Sequence, residues 1–140
     1  MKRLRIFFIT LLCILTGCGK SDPAKDTAEQ KPDYRQVSME EGLELMREDS
    51  GYVLVDVRRA DEFEEGHIPG AINLPNESIG TEKLPELPDK DQTIYVYCRS
   101  GNRSKQAARK LADLGYTNII EFGGILDYSG EIEKGGQQSF

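Results

Sequence analysis

The residues best suited to chemistry lie in one short loop that begins with Cys98 and contains two arginines. Arg99 follows the cysteine directly, and four residues separate the cysteine from Arg103. An uncharged β-branched and aromatic run at 93–97 predicts a buried strand before the loop, and helical spacing of apolar residues over 104–114 predicts an amphipathic helix after it. Because a thiol at a helix N-terminus lies in a positive field that favours thiolate, the pattern predicts an activated sulfur nucleophile for an anionic substrate.

The overall charge of the chain argues against nucleic acid as a partner. The 140 residues carry a formal net charge of −6, with 18 basic and 24 acidic side chains. Setting aside the basic N-terminal residues Lys2, Arg3 and Arg5 leaves 15 basic against 24 acidic side chains, a net charge of −9. The arginines of the Cys98 loop are therefore a local exception in an acidic body, as expected for a small anionic substrate.

The N-terminal segment is typical of a targeting signal. A basic start precedes ten apolar residues at 6–15, which are too few to span a bilayer. The tetrapeptide that ends in Cys18 resembles the lipobox of bacterial lipoproteins, and the alternatives are a plain secretory signal or an uncleaved anchor. The resemblance implies a signal peptide at 1–17, lipidation of Cys18 and a polar tether over 18–33. It places the protein outside the cytoplasm, anchored to a bacterial membrane surface.

Under that prediction, Cys98 is the only free thiol of the mature chain. Cys13 leaves with the signal peptide and Cys18 carries the lipid, so no internal disulfide can form. A lone cysteine is often only a small apolar residue in a core. The position of Cys98 between a strand and a glycine-containing loop favours the nucleophile instead.

The folded domain is expected over residues 34–140, with alternating strands and helices. Ser38 and the glutamates after it form a capping-box pattern. The predicted helices lie at 39–48, 59–65, 104–114 and 125–134, and the predicted strands at 52–57, within 67–75, at 93–97 and at 118–122. Gly123 and Gly124 are predicted to form a tight turn after the last strand.

This alternation predicts an α/β domain with a mainly parallel central sheet and helices on both faces. Sites in such folds lie beyond the carboxyl ends of the strands. Asp56, Cys98 and the glycine pair all fall at predicted strand ends, so we expect them to cluster at one edge of the sheet. A buried Asp56 needs a partner, either Arg58 or a loop N–H group.

His67 is the only histidine of the chain and invites pairing with Cys98 as a thiol–imidazole dyad. The alternative is that its ring binds backbone groups in the turn before Pro69. We favour the backbone interpretation, because the Cys98 loop can stabilise a thiolate without a base.

Three sequence blocks resemble the rhodanese-homology family. They are residues 54–58 continuing through Glu62 to 66–75, residues 95–104, and the Gly115 turn leading to the glycine pair. The resemblance covers roughly residues 37–132 and implies a three-layer rhodanese-like fold. It also implies a single-domain sulfurtransferase, which moves a sulfane sulfur from a donor such as thiosulfate to cyanide or a thiol.

The resemblance also implies roles for individual residues. Cys98 would carry the sulfur as a persulfide, and the loop would stabilise the persulfide anion and neutralise the sulfite that leaves. The implied substrate-binding residues are Arg99, Ser100, Gly101, Asn102, Arg103 and Ser104. Asp56, Arg58 and Glu62 would brace the loop from behind without reacting.

Two other classes of function stay open at this stage. A thiol phosphatase or arsenate reductase of the related fold has five residues between its cysteine and arginine, whereas this loop has four, Arg99 to Asn102. The other class is a non-catalytic binding module or persulfide carrier. No cofactor is predicted, no cluster of metal ligands is found, and the oligomeric state cannot be read from the sequence.

Overall fold

A computed structural model describes residues 33–80 and 83–136. The predicted signal peptide, Cys18 and the predicted tether up to residue 32 lie outside the described residues. The strands are β1 Arg35–Gln36, β2 Val53–Asp56, β3 Ile72–Asn73, β4 Thr93–Cys98 and β5 Asn118–Gly124. The helices are α1 Met39–Glu48, α2 Ala60–Glu65 and α3 Asn102–Asp113, with 3-10 turns at Asn76–Ser78 and Ile125–Asp127.

The strands form one five-stranded sheet in the order β1-β5-β4-β2-β3, and every pair is parallel. This confirms the predicted α/β architecture. β4 occupies the centre of the sheet, where a strand buried on both faces needs a continuous apolar sequence. Cys98 is its last residue and pairs with Gly124 of β5, while Asp56 ends β2 beside Tyr97. The expected cluster at the carboxyl edge of the sheet is therefore confirmed.

Alternation along β4 separates the core into two layers. Ile94, Val96 and Cys98 point to the layer covered by α3, and Tyr95 and Tyr97 point to the opposite layer. The second layer is closed by residues of α1 and α2, including Met39, Met46 and Phe63. The prediction of helices on both faces of the sheet is confirmed.

Helix α1 coincides with its predicted range and begins as the sequence indicates. The Ser38 hydroxyl accepts a hydrogen bond from the Glu41 amide at 3.1 Å, which satisfies one of the free N–H groups of the first turn. Helix α2 ends at Gly66, as predicted. Within the described residues, no helix is long and apolar enough to cross a membrane.

Two predictions at the C-terminal end of the domain are wrong. Gly123 and Gly124 are not a turn after the last strand but its final two residues, where a shift of register between β4 and β5 forms a bulge. Gly123 has a φ of 94°, which glycine tolerates at such a bulge.

The predicted helix at 125–134 is absent, and only the 3-10 turn Ile125–Asp127 forms there. Leu126 is 65% exposed, so the segment lacks the buried apolar stripe that stabilises a surface helix. Farther along, Glu133 and His67 exchange two backbone hydrogen bonds of 2.9 Å each. This antiparallel bridge satisfies backbone groups that a helix would otherwise pair.

Candidate functional site

The thiol of Cys98 lies at the carboxyl end of the central strand, under the loop that leads into α3. Its side chain is 1% exposed, and the Gly101 amide donates a hydrogen bond to its sulfur at 3.0 Å. Gly101 has a φ of 95°, which lets the chain turn back over the sulfur. The Ser104 hydroxyl lies 3.5 Å from the same sulfur, from the first turn of α3. The predicted nucleophile is thus placed against a backbone donor and the N-terminus of a helix.

The Cys98 loop packs against the last residue of β5 and against the 3-10 turn that follows it. Leu126 donates its amide hydrogen to the Arg99 carbonyl at 3.2 Å. Gly124 packs so closely against the loop that a Cβ atom there would overlap the Arg99 carbonyl and lie 2.5 Å from the Ser100 nitrogen. Glycine at 124 is therefore required by close backbone approach, which fixes the position of the Cys98 loop relative to the sheet.

Arg103 and Glu62, which the sequence placed in different roles, form one ion pair. Both terminal nitrogens of Arg103 donate to the Glu62 carboxylate, at 2.6 and 2.9 Å. The hydrogen bond from Arg103 is the main cause that lowers the pKa of Glu62 from 4.5 to about 2. Glu62 therefore contacts the end of the loop through Arg103, one of the two arginines that the sequence assigned to the substrate.

Arg99 contrasts with Arg103, because its side chain is exposed at the mouth of the loop. No ion pair involves it among the residues that the structure describes. Ser100 and Asn102 are also exposed at this rim, whereas Gly101 and Ser104 are buried beneath it. The loop therefore exposes Arg99, Ser100 and Asn102 to solvent. Gly101 and Ser104 are buried against the sulfur of Cys98.

Asp56 and Arg58 form a buried ion pair at the end of β2. Arg58 donates from Nε and Nη2 to the Asp56 carboxylate at 2.7 to 3.0 Å, and its backbone amide donates to Oδ1 at 2.9 Å. Burial is the largest single effect on Arg58 and acts to lower its pKa, but the hydrogen bond to Asp56 and the nearby negative charges together outweigh burial, and the pKa rises. Arg58 also donates to the Gly66 carbonyl at 2.7 Å, so the pair joins the ends of β2 and α2. Among the described residues, no hydrogen bond from either side chain reaches the Cys98 loop, which the sequence had expected them to brace.

Glu121 is a site residue that the sequence analysis missed. It is fully buried on β5, and its Oε1 accepts hydrogen bonds from the Ser104 hydroxyl at 2.6 Å and from the Gly123 amide at 2.9 Å. A single carboxylate within the apolar run 119–122 was the signal that could have drawn attention to it.

His67 has the structural role that we favoured. Its Nδ1 hydrogen-bonds the Phe63 carbonyl at 2.8 Å, and its ring stacks on the Phe63 ring at 3.6 Å between centroids. Its Nε2 lies 3.7 Å from a carboxylate oxygen of Glu133. The cavity beside His67 is lined by no residue of the loop 98–104. The histidine is a turn residue and does not act as a base for Cys98.

The pairing of Glu62 with Arg103 predicts a pH-dependent contribution to stability. Because the pKa of Glu62 is lowered on folding, the pair stabilises the protein above pH 4.5, and this contribution is lost as the pH falls to about 2. We expect Glu62→Gln to reduce the free energy of unfolding by about 1–2 kcal/mol at pH 7, allowing for partial exposure of the pair. Denaturant unfolding of both proteins between pH 7 and pH 2 measures the difference.

The difference should shrink as the pH falls from 4.5 toward 2, where about half of the Glu62 side chains of the natural chain are also neutral. Glu65→Gln, an exposed change in the same helix, is the matched control and should leave stability unchanged at every pH. A loss of stability that stays constant down to pH 2 would show that packing, and not charge, makes the contribution.

Comparison with known proteins agrees with this geometry. Among the described residues the one free thiol is that of Cys98, at the end of the central strand of an α/β sheet. The chain belongs to the rhodanese-like domain family, whose model matches residues 38–131. Among the described residues, no group of three or more histidine, cysteine or acidic side chains is placed to hold a metal ion.

Several relatives are named for sulfur chemistry. The chain is similar to thiosulfate sulfurtransferase PspE of Escherichia coli, with 36% identity over 81 residues, covering 58% of this chain and 78% of that protein. It is 31% identical over 108 residues to the putative sulfur carrier protein YrkF of Bacillus subtilis, covering 76% of this chain and 57% of that protein. It also matches an adenylyltransferase and sulfurtransferase of Candida albicans at 34% identity, covering 85% of this chain and only 28% of that longer protein.

Solved structures carry the same fold. A rhodanese with anions from E. coli aligns at 34% identity with a TM-score of 0.55, covering 60% of this chain and 99% of that one. The rhodanese-like domain of an Anabaena protein aligns at 25% identity with a TM-score of 0.62, covering 74% of this chain and 80% of that one. The family and its relatives support sulfur transfer as the general chemistry of this domain.

Proposed function

We propose that the protein is a sulfurtransferase that takes a sulfane sulfur from a small anionic donor such as thiosulfate. The sulfur is carried as a persulfide on Cys98 and passed to a thiophilic acceptor, either cyanide or a thiol. The observation that carries this proposal is the sulfur of Cys98, held 3.0 Å from the Gly101 amide at the end of the central strand.

The reaction divides into two balanced displacements. The Cys98 thiolate attacks the outer sulfur of thiosulfate, a bond forms between the two sulfurs, and sulfite leaves with the electron pair of the broken bond. An acceptor such as cyanide then attacks the outer sulfur of the persulfide, and the electron pair returns to Cys98 as thiocyanate leaves. Splitting the transfer in this way is ordinary nucleophilic catalysis, and no oxidant or reductant is consumed.

The loop favours a sulfur anion over a phosphate. Arg103 is turned toward Glu62 by two hydrogen bonds, so it does not complete a ring of donors around a tetrahedral oxyanion. In this loop, with four residues between Cys98 and Arg103, the Gly101 amide is the backbone donor to the sulfur. Preorganised donors of this kind stabilise charge where it develops, here on the persulfide. We therefore place phosphatase and arsenate reductase activity behind sulfur transfer.

The exposed guanidinium of Arg99 is the group that we assign to the anionic part of the donor. We expect Arg99→Gln to raise the KM for thiosulfate about tenfold with little change in kcat, because it removes one charge-assisted contact. Arg103→Ala should lower kcat/KM by a similar factor through loss of the brace with Glu62. Steady-state rates of thiocyanate formation give both parameters.

Arg109→Gln is the control for these two variants, since Arg109 is exposed on α3 and outside the loop. It should leave the KM unchanged. An unaltered KM in Arg99→Gln would remove Arg99 from the substrate site and make this arginine a surface charge only.

The proposal is tested most simply by a single turnover without acceptor. Mixing the protein with excess thiosulfate should release about one sulfite per molecule in a burst and then stop, because the persulfide accumulates. Alkylation of Cys98 beforehand should abolish the burst. Release of no sulfite by folded protein with a free thiol would overturn the assignment of thiosulfate as donor.

We also propose the location of the protein from its N-terminal sequence. The lipobox-like tetrapeptide would place a lipid on Cys18 and hold the domain outside the cytoplasm at a bacterial membrane surface, through the tether at 18–33. A thiol acceptor or a small sulfur compound would then have to reach the domain in that compartment.

A further inference from the structure

A buried acidic side chain lies directly beneath the reactive thiol. Glu121 is 0% exposed, and its Oε2 has no hydrogen-bond partner among the described residues. Its Oε1 takes hydrogen bonds from Ser104 and from the Gly123 amide. Burying an acidic side chain with an unsatisfied oxygen destabilises the fold. Since only the Ser104 hydroxyl separates Glu121 from the sulfur of Cys98, we expect this carboxyl group to have a role at the thiol.

The distances around the Ser104 hydroxyl favour Glu121 as the acceptor of its hydrogen. The 2.6 Å separation of the Ser104 hydroxyl from Oε1 is the shortest of its hydrogen bonds and is typical of a strong O–H···O bond. A hydroxyl has one hydrogen, so a Ser104 that donates to Glu121 cannot also donate to Cys98 or to the carbonyls of Gly101 at 3.0 Å and Gly123 at 3.4 Å. It can still accept, and the thiol of Cys98 is 3.5 Å away as the donor. The chain therefore runs from the thiol to the hydroxyl to the carboxylate.

We propose that Glu121, acting through Ser104, is a positioning residue that holds resting Cys98 as a protonated thiol. This inference rests on the proposed function of Cys98 as the sulfur carrier. The negative charge of Glu121 opposes a second negative charge on the sulfur, and the fixed hydroxyl accepts from S–H while it cannot donate to a thiolate. The thiol is thereby restrained until the pH or an arriving donor favours its ionisation.

The other charged groups near the sulfur act in the opposite sense. Arg103 on α3 and Arg99 in the loop are positive, and the Gly101 amide donates to the sulfur. From β1, which packs on β5, Arg35 pairs with Glu41 at the surface. Glu121 is thus the one negative group in contact with Ser104 among the described residues, and it opposes a set of positive groups that favour the thiolate.

The test is the pH profile of Cys98 alkylation in the full chain, purified in mild detergent. Iodoacetamide modification is followed by mass spectrometry of the tryptic peptide 91–99, which separates Cys98 from the other two cysteines. In Glu121→Gln, which keeps the shape and removes the charge, we expect the midpoint of the profile to fall by about one pH unit. Below the midpoint, alkylation should be about tenfold faster than in the natural chain.

Two further variants make the result specific. Glu40→Gln removes an exposed charge on α1 and should leave the profile unchanged. Ser104→Ala removes the acceptor of the thiol hydrogen and should also move the midpoint down, though by less. Should Glu121→Gln fail to fold, by circular dichroism, Ser104→Ala still decides the question.

An unchanged or raised midpoint in Glu121→Gln would overturn the proposal. So would a raised midpoint in Ser104→Ala, because it would mean that the hydroxyl donates to the thiolate and stabilises it. Alkylation needs no sulfur donor, so this outcome is independent of the sulfite burst. If thiosulfate released no burst of sulfite but the alkylation profile shifted as expected, thiosulfate would be rejected as the donor. The role of Glu121 would still be supported.

Discussion

Replacing Cys98 with serine is expected to abolish sulfur transfer, lowering kcat/KM by more than about a thousandfold. The hydroxyl of serine is a poor nucleophile without a base, and the described residues place no histidine on this side chain. An oxygen at this position cannot form the persulfide on which both displacements depend. The measurement is thiocyanate formation from thiosulfate and cyanide by the purified variant.

The fold should survive this change, because serine is close to cysteine in size. Residue 98 is buried with the Gly101 amide on its sulfur, so a hydroxyl there retains a donor. We expect the unfolding midpoint to move by a few degrees at most. Ser50→Ala, an exposed change outside the Cys98 loop, is the control and should keep full activity. Turnover retained by Cys98→Ser would remove the thiol from the mechanism.

A single methyl group at position 124 is expected to disable the site from below. In Gly124→Ala the added Cβ would overlap the Arg99 carbonyl, so the Cys98 loop or the end of β5 must move. Displacement of about 1 Å at a nucleophile costs on the order of a hundredfold in rate. Overpacking of this kind also costs about 1–3 kcal/mol of stability. Single-turnover sulfite release and denaturant unfolding measure the two effects.

Gly80→Ala is the matched control for Gly124→Ala. Position 80 has open space around an added Cβ, and its backbone is not in the left-handed region. The control should leave the burst rate unchanged and stability within about 0.5 kcal/mol. A Gly124→Ala protein with normal burst kinetics would mean that the loop adjusts freely, and that close packing on β5 does not position the thiol.

The strand–loop–helix around Cys98 was predictable because its signals are local. An uncharged run suited to a central strand, a glycine at the turn and helical spacing after it all lie within 93–114, and β4 and α3 form there. Helix α1 was also predictable, from the capping residue Ser38 and from the helical spacing of the apolar residues that follow Ser38. In these segments local preference and tertiary packing agree.

The C-terminal predictions failed because long-range contacts decide that segment. Gly123 and Gly124 have the composition of a turn, but pairing with Cys98 at the edge of the sheet draws them into β5. Residues 125–134 leave Leu126 and Ile132 exposed, and backbone pairing of Glu133 with His67 replaces the predicted helix. Neither partner is near in sequence, so neither outcome could be read from the segment itself.

In the candidate site too, features with local sequence signals were predicted and long-range contacts were not. Cys98 and the loop residues were found from spacing and from the resemblance to the family. The ion pair between Arg103 and Glu62 was not predicted, because Glu62 lies 41 positions earlier in the sequence. Only the order of the strands brings the two side chains together. Glu121 was missed for the same reason, since its contact with Ser104 depends on the register of β5 against β4.

The measurement that tests the central claim most directly is the intact mass of the protein before and after thiosulfate, and again after cyanide. Sulfur transfer through Cys98 predicts a gain of one sulfur atom, located on the peptide 91–99, which cyanide then removes with release of thiocyanate. Folded protein whose thiol is free, but whose mass does not change with thiosulfate, would contradict the proposed donor and the persulfide cycle together.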